Sequence, residues 1–564
     1  MDFVESGKDV NDENRQLQHN AIEDKYNVSK RGGWTTFPFI LGSILTLTLA
    51  AGGWIGNLIV YLITKYNVKS IDATQIFNVV LGCLSLFPLV GAILSDSFFG
   101  SFAVIAVFSS VSLLGVTLMT LTASFPSLRP SPCVNMMLPC PSPSKLQYGV
   151  LYAILALACI GIGGTRFTIA SMGADQFEDP NSIGSYFNWY FFSFYVAGVI
   201  STTLIIYVQD NVSWAVGFGI CVVCNLVGVI LFLSGKKFYR KVKPKGSPFT
   251  SIARVIVAAV RKRKVSLANQ EYNYDINDKS TTVPSDSFRF LNHGALKIES
   301  DGLKARSWSL STVQEVEDLK TLIKIMPLWS SSVMLSAIVG MFNNFIILQA
   351  LSMNRHLGGS NFQIPASSFL ALDILATSIT ISILDRVIFP TWQKLIGWPI
   401  TSLQRIGVGH VLNGVGLIAA ALVEVRRLHT ARDHHLVGLA MGASATTIVP
   451  VSALWLMVPL TVMGVSQAFL FPGQISLYYQ EFPESLRSTS TAMISLLVAV
   501  GFYLSTAITG LIRDSTGWLK DDLNNGRLDL VYWVLAAIGV VNFGYFLVCA
   551  KMFQHKVDKN DSSS

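Results

Sequence analysis

Twelve stretches of about 20 mostly apolar residues punctuate the chain, and short polar segments separate most of them. They fall at roughly 37–64, 73–94, 102–125, 147–172, 185–208, 213–235, 321–349, 365–388, 402–424, 451–478, 488–512 and 529–553. Each is long enough to cross a hydrocarbon layer of ~30 Å as a helix. Two polar segments are longer than the rest: residues 1–36 and 236–320. The second divides the spans six and six. The pattern predicts an all-α membrane protein with 12 transmembrane helices in two six-helix bundles.

An even number of spans puts both termini on one side, together with the 236–320 segment. Charge says which side. Lys and Arg exceed Asp and Glu by eight (42 against 34), and between Lys236 and Lys320 the balance is seventeen against nine. That segment therefore supplies the whole excess. Six of its cations fall from Lys236 to Lys245, and four form the run Arg261-Lys262-Arg263-Lys264. Basic clusters beside a span face the cytosol and its anionic lipid heads. This topology signal also accounts for the charge without nucleic acid.

The expected organisation is a cytosolic tail at 1–36, a bundle at 37–235, a cytosolic basic loop at 236–320, a bundle at 321–553 and a cytosolic tail at 554–564. Residues 1–30 carry no apolar core, so the first span serves as insertion signal. In the loop, residues 249–265 are apolar on one side and basic at the end, predicting an amphipathic helix on the membrane surface. Residues 266–311 read as flexible linker. Six plus six spans around such a loop is the pattern of the major-facilitator fold, in which substrate binds near the midplane between two rocking halves. Other twelve-span carriers share the count, and no internal repeat is visible.

Composition agrees with lipid as the outer solvent. Of 564 residues, 51% are hydrophobic and 13% charged, against about 25% charged in a soluble domain. Mean hydropathy is +0.49. A soluble enzyme and a disordered chain are both excluded. Five of seven cysteines lie in spans, where Cys packs as a small apolar group, and Cys221 with Cys224 is read that way. Cys133 and Cys140 share one predicted extracellular loop, where they either form a structural disulfide or stay free. No span carries paired metal ligands or a nucleophile–base pair. The expectation is no enzyme, no metal and no cofactor.

Several segments resemble the plant nitrate transporter/peptide transporter family, relatives of the proton-dependent oligopeptide transporters. They are Gly91 to Ser97 (GAILSDS), Phe187 to Phe191 (FNWYF), Lys243 to Pro248 (KPKGSP), Arg261 to Lys264, Asp385-Arg386-Val387, Leu403 to Gly407 (LQRIG) and Tyr479 to Ser488 (YQEFPESLRS). The resemblance runs from about Gly32 to the end of the last span. Lys30 to Trp34 (KRGGW) and Gly163 to Thr168 (GGTRFT) are most similar to the family's nitrate excretion branch. Membership implies a comparison at the family's coupling sites. Proton-coupled members carry Glu-x-x-Glu-Arg or Lys in the first span; by the resemblance, the matching positions here are Ile44, Leu47 and Thr48. They also carry a Glu in the tenth span, where this chain has Gln467. The family's fourth-span cation persists as Arg166.

Proton coupling needs a cavity group that exchanges a proton during the cycle. Ile44, Leu47, Thr48 and Gln467 cannot, and a guanidinium stays protonated. Arg166 is then a mid-membrane cation, a placement costing about 2.5–3.5 kcal/mol on insertion scales. It either anchors a planar oxyanion through its fork of donors or pairs with an acid. Thr48, Gln467 and Asn343 are the neutral polar groups expected beside the anion, and Asn344 offers a second amide. Asp373, deep in the eighth span, pairs with Arg166, carries protons in place of the lost Glu, or faces a hydrated crevice. His410 reads as a packing residue, Gly161 to Gly164 as a close-packing helix face, and Asn211-Val212-Ser213 as a glycosylation signal too near the membrane for efficient use.

The expectation is passive nitrate movement, mainly outward, across a plant plasma membrane, with lipid and a small inorganic anion as partners. Chloride is the nearest rival substrate. A proton-coupled symporter of an organic anion using Asp373, and a non-transporting nitrate sensor, are the others.

Overall fold

Twelve helices long and apolar enough to cross a membrane are present among the described residues. They are α1 (Phe37–Gly56), α2 (Ser70–Phe99), α3 (Ser101–Ser124), α4 (Lys145–Ala174), α5 (Ser185–Asn211) and α6 (Trp214–Lys237) in the first half. The second half holds α7 (Val313–Leu351), α8 (Ala366–Ile396), α9 (Ser402–Asp433), α10 (Ala453–Tyr478), α11 (Met493–Thr516) and α12 (Leu528–Phe553). This computed structural model describes residues 32–132, 141–240, 248–265, 272–274, 284–297, 308–357, 362–437, 448–481 and 487–561. Cys133 and Cys140 lie outside the described residues.

Local chemistry sets the helix ends. Ser144, Thr401 and Thr312 each open a span with a reciprocal capping box, accepting from the backbone N–H of Gln147, Gln404 and Glu315. Each box satisfies two backbone donors that a helix start leaves free. The first apolar stretch is interrupted at Asn57, and a second helix, Leu58–Tyr66, carries it on. Asn57 donates to Asp210 Oδ1 at 2.9 Å and accepts from Ser367 Oγ at 2.9 Å, so its side chain is committed to tertiary partners at the break.

Within the first half α3 packs on α4 and α6, α1 on α6, and α2 on α4. Within the second, α9 packs on α10 and α12, α7 on α11 and α12, and α8 on α10. Glycines permit the closest approach: a Cβ at Gly161 of α4 would lie 2.2 Å from the backbone nitrogen of Ser112 on α3. Between the halves, α2 meets α11 and α5 meets α8. These are second and fifth helices of the two halves, so the two contacts exchange under a six-plus-six repeat. Another sign of the repeat is that α2 and α8 both widen to an i→i+5 turn, at Ser95–Phe99 and Leu384–Ile388. A short parallel pair, β1 (Met353–Asn354) with β2 (Val449–Ser452), ties the segment after α7 to the start of α10.

Polar contacts between the halves gather at the end away from the termini. Ser367 bonds Asn57, Asn344 Nδ2 donates to Asn78 Oδ1 at 2.6 Å, and Asn78 Nδ2 donates to Ser505 Oγ at 2.9 Å. Arg513 binds Asp72 at 2.5 Å, and Lys69 lies 3.6 Å from Asp521. Outside the spans, burial pulls the Arg355 guanidinium below its ordinary value, and the Asp210 carboxylate opposes that shift.

The segment between the halves departs from expectation. Helix Pro248–Arg261 does form. Its Val255 and Ala259 are buried against Leu291, Ala295, Val313, Val316 and Leu319, so protein and not lipid covers this apolar face. The described part of the supposed flexible linker is packed too. Ser285 donates from its backbone N–H and its hydroxyl to Glu317, at 2.9 and 2.7 Å, and the buried Lys320 donates to Ser285 O at 2.7 Å. Because this layer needs a wall, α7 begins at Val313, eight residues before the hydropathy pattern starts it.

Candidate central cavity and its charged groups

A cavity of about 460 Å³ lies between the halves. Residues of α1, α2, α4 and α5 make most of its wall, and Asn343 of α7, Asp373 of α8 and Phe502 of α11 contribute from the other half. Gly56 and Asn343 line it one residue from Asn57 and Asn344, so the inter-half contacts close it on the side away from the termini.

Arg166 projects from α4 into this space and stays exposed to it. Its guanidinium carbon lies 4.8 Å from the ring centre of Phe194 on α5 and 5.9 Å from that of Phe167. Rings at such range hold a cation by its charge without consuming its N–H donors. Among the described residues Arg166 has no acid within salt-bridge distance. Around it, Ile44, Leu47 and Thr48 follow one another along α1.

Asp373 enters the same cavity from the opposite half. Its Oδ1 is buried and has no hydrogen-bond partner among the described residues. Helix α8 is fixed at this turn: a Cβ at Gly464 of α10 would stand 2.6 Å from the Asp373 carbonyl oxygen, and Thr377 Oγ1 donates to Gly464 O at 3.0 Å. Asn343 Oδ1 is likewise buried and unpartnered at the cavity. Its neighbour Asn344 is spent on the contact with Asn78.

Gln467 does not line the main cavity. It borders a separate space of about 40 Å³ with Ser332, Ser336 and Gln474, adjoining the main one through Val498. His410 lies elsewhere again, stacked 4.9 Å from Phe546, and neither ring nitrogen has a partner among the described residues.

Sequence reasoning missed the α5 wall. Tyr190, Phe194, Tyr195 and Gly198 line the cavity, followed by Ser201 and Thr202 where α5 widens to an i→i+5 turn. The signal was present as aromatic residues at helical spacing, beginning with Tyr190 inside FNWYF and continuing to Phe194. In a lipid-exposed span such a stripe reads equally as packing.

The POT family model matches residues 102–523, about three quarters of the chain. The chain belongs to the POT family. Within it, Protein NRT1/ PTR FAMILY 2.7 of Arabidopsis thaliana is 48% identical over 546 residues, covering 96% of each chain. Protein NRT1/ PTR FAMILY 2.6 of Arabidopsis thaliana is 47% identical, covering 93% of this chain and 94% of that one. The POT family transporter PepTSo, solved in meso, superposes with a TM-score of 0.69 at 16% identity over 93% of this chain and 99% of its own. A POT family transporter in complex with 5-aminolevulinic acid gives 0.65 at 12% identity, over 93% and 98%. At such identities the solved structures speak for the fold. The chain is thus a multi-pass membrane protein of a transporter family, with the architecture of the POT carriers.

Proposed function

We propose that this POT-family carrier moves nitrate passively, mainly outward, across a plant plasma membrane by alternating access, with both termini in the cytosol. One observation carries the reading: the Arg166 guanidinium stands in the cavity between the halves with no acid in salt-bridge range among the described residues. A planar fork of donors suits a planar oxyanion. Ile44, Leu47 and Thr48 beside it supply no exchangeable proton, and neither does Gln467 nearby. Thr48 and Asn343 are the polar groups that complete the anion's surroundings, with Gln467 set back behind Val498.

The membrane potential supplies the driving force. Moving one charge through 100 mV is worth ~2.3 kcal/mol, roughly a fifty-fold concentration ratio. With the cytosol negative, a monovalent anion runs outward. Reversal potentials measured against nitrate, chloride and pH gradients, repeated with Arg166→Ala, test the reading. A nitrate-dependent reversal insensitive to pH supports it; proton uptake in fixed ratio with nitrate overturns it. A reversal that follows chloride in preference to nitrate leaves the carrier and replaces the substrate.

The buried, unpartnered Asp373 oxygen favours a second reading, in which this carboxylate takes up a proton with an organic anion. Loss of pH dependence in Asp373→Asn would establish it.

A further inference from the structure

We propose that Phe194 is the positioning residue of the anion anchor: its ring holds the Arg166 guanidinium in place, leaves the N–H donors free, and so sets a preference for nitrate over chloride. The inference rests on Arg166 being the anion site. Phe194 lines the cavity from α5 as Arg166 does from α4. The guanidinium carbon lies over its ring, 4.8 Å from the centre. Among the described residues no hydrogen bond or acid fixes Arg166. The ring is therefore what holds a long side chain that is otherwise free to swing.

An acid in contact would fix the cation differently, by occupying its N–H groups and cancelling its charge. A ring attracts the cation through its quadrupole and takes no strong N–H···O bond, so charge and donors both remain for a ligand. The difference matters to a planar oxyanion, which engages two donors side by side. It matters less to a spherical anion, which needs the charge alone. Without the ring, the side chain's rotamer freedom would be lost afresh at each binding event, and affinity would fall accordingly.

Phe194 is itself held. Ser193 and Ala197 beside it on α5 are buried, and α5 packs on α1 and α4. The Tyr195 ring stands at 78° to the Phe194 ring, with centres 5.9 Å apart. Phe167, the second ring near Arg166, is 5.9 Å from the guanidinium carbon and does not line the cavity. That distance is at the outer limit of the attraction, so Phe194 carries the larger share. Arg166 and Phe194 both belong to the first half, and the contact stays within one body when the halves rock.

The experiment measures currents carried by external nitrate and by external chloride in oocytes expressing the full-length chain. Wild type is compared with Phe194→Leu, Phe194→Tyr, and a chain in which trifluorophenylalanine replaces Phe194 by nonsense suppression. Fluorine withdraws charge from the ring face and nearly keeps its shape, so a mere packing role would not register it. Half-saturating nitrate should rise about fivefold in Phe194→Leu and in the fluorinated chain, the worth of a partly hydrated cation–ring contact. Maximal nitrate current should be kept, and half-saturating chloride should rise by less than about twofold. Phe194→Tyr, which keeps a ring, should restore most of the affinity lost in Phe194→Leu. Wild-type nitrate affinity in the fluorinated chain overturns the proposal, as do equal losses for both anions. Arg166→Ala is measured alongside: nitrate currents that survive it defeat the anchor reading together with the proposal. An unresponsive fluorinated chain beside a current-free Arg166→Ala removes the positioning role alone.

Discussion

Arg513 on α11 binds Asp72 on α2 across the boundary between the halves, Nη1 to Oδ1 at 2.5 Å, and its Nη2 lies 3.6 Å from Asp521. One guanidinium thus holds two carboxylates at the closed end of the cavity. Lys69 stands on the other side of Asp521. Arg513→Ala leaves Asp72 without this cation and Asp521 with Lys69 alone. The expected outcome is a loss of about 1 kcal/mol from the closed arrangement, the upper end for partly exposed pairs. Hydrogen exchange of the segments around Asp72 and Asp521 should quicken several-fold, and added salt should narrow the gap to wild type.

At Arg166 the charge and the fork are separable. Arg166→Lys keeps the cation but loses the planar pair of donors. Nitrate flux should fall about tenfold while chloride flux, which needs no fork, falls less. Anion-substitution currents check this, and equal losses for both anions would show that charge alone does the binding.

Glu424 and Arg427 form an ion pair with both side chains fully buried, and Arg427 also donates to Asn524 Oδ1 at 2.6 Å and Leu523 O at 3.1 Å. This cluster ties α9 to the loop before α12. Glu424→Gln strands a buried guanidinium, so stability should drop by about 3–5 kcal/mol. Thermal unfolding in detergent measures it. Flux per folded molecule should be unchanged, because the pair lies outside the cavity lining.

Gly82 on α2 receives the ring of Tyr503 from α11; a Cβ there would stand 2.6 Å from the ring. Gly82→Ala should hold the halves apart at this contact. Turnover in proteoliposomes should fall about tenfold with equilibrium nitrate binding kept within twofold. A variant that turns over normally would show that the halves do not close on this notch.

The number of spans was legible because lipid demands a continuous apolar run, which needs no knowledge of neighbours. Helix ends were harder. The pattern closes α9 at residue 424, yet the helix continues to Asp433, since Glu424 and Arg427 satisfy each other in the interior. Hydropathy scores two charges there and cannot score their pairing. The helix 248–261 shows the converse: its apolar stripe is evident, but whether lipid or protein covers it depends on Leu291 and Val316, far away in sequence. At the site, Arg166 and Asp373 stand out because charge is rare in a span. Tyr190 and Phe194 do not, because aromatic residues are ordinary there, and only their shared cavity distinguishes them.

Helix α7 has 39 residues, about 58 Å at 1.5 Å per residue, against a hydrocarbon layer of ~30 Å. Nearly half of it protrudes into the aqueous phase, and the packed layer of Val255, Leu291 and Ser285 rides on that overhang. A rod pivoting within the bilayer sweeps its free tip through the widest arc. Each tilt of the second half would therefore carry this layer further than it carries the residues around the cavity.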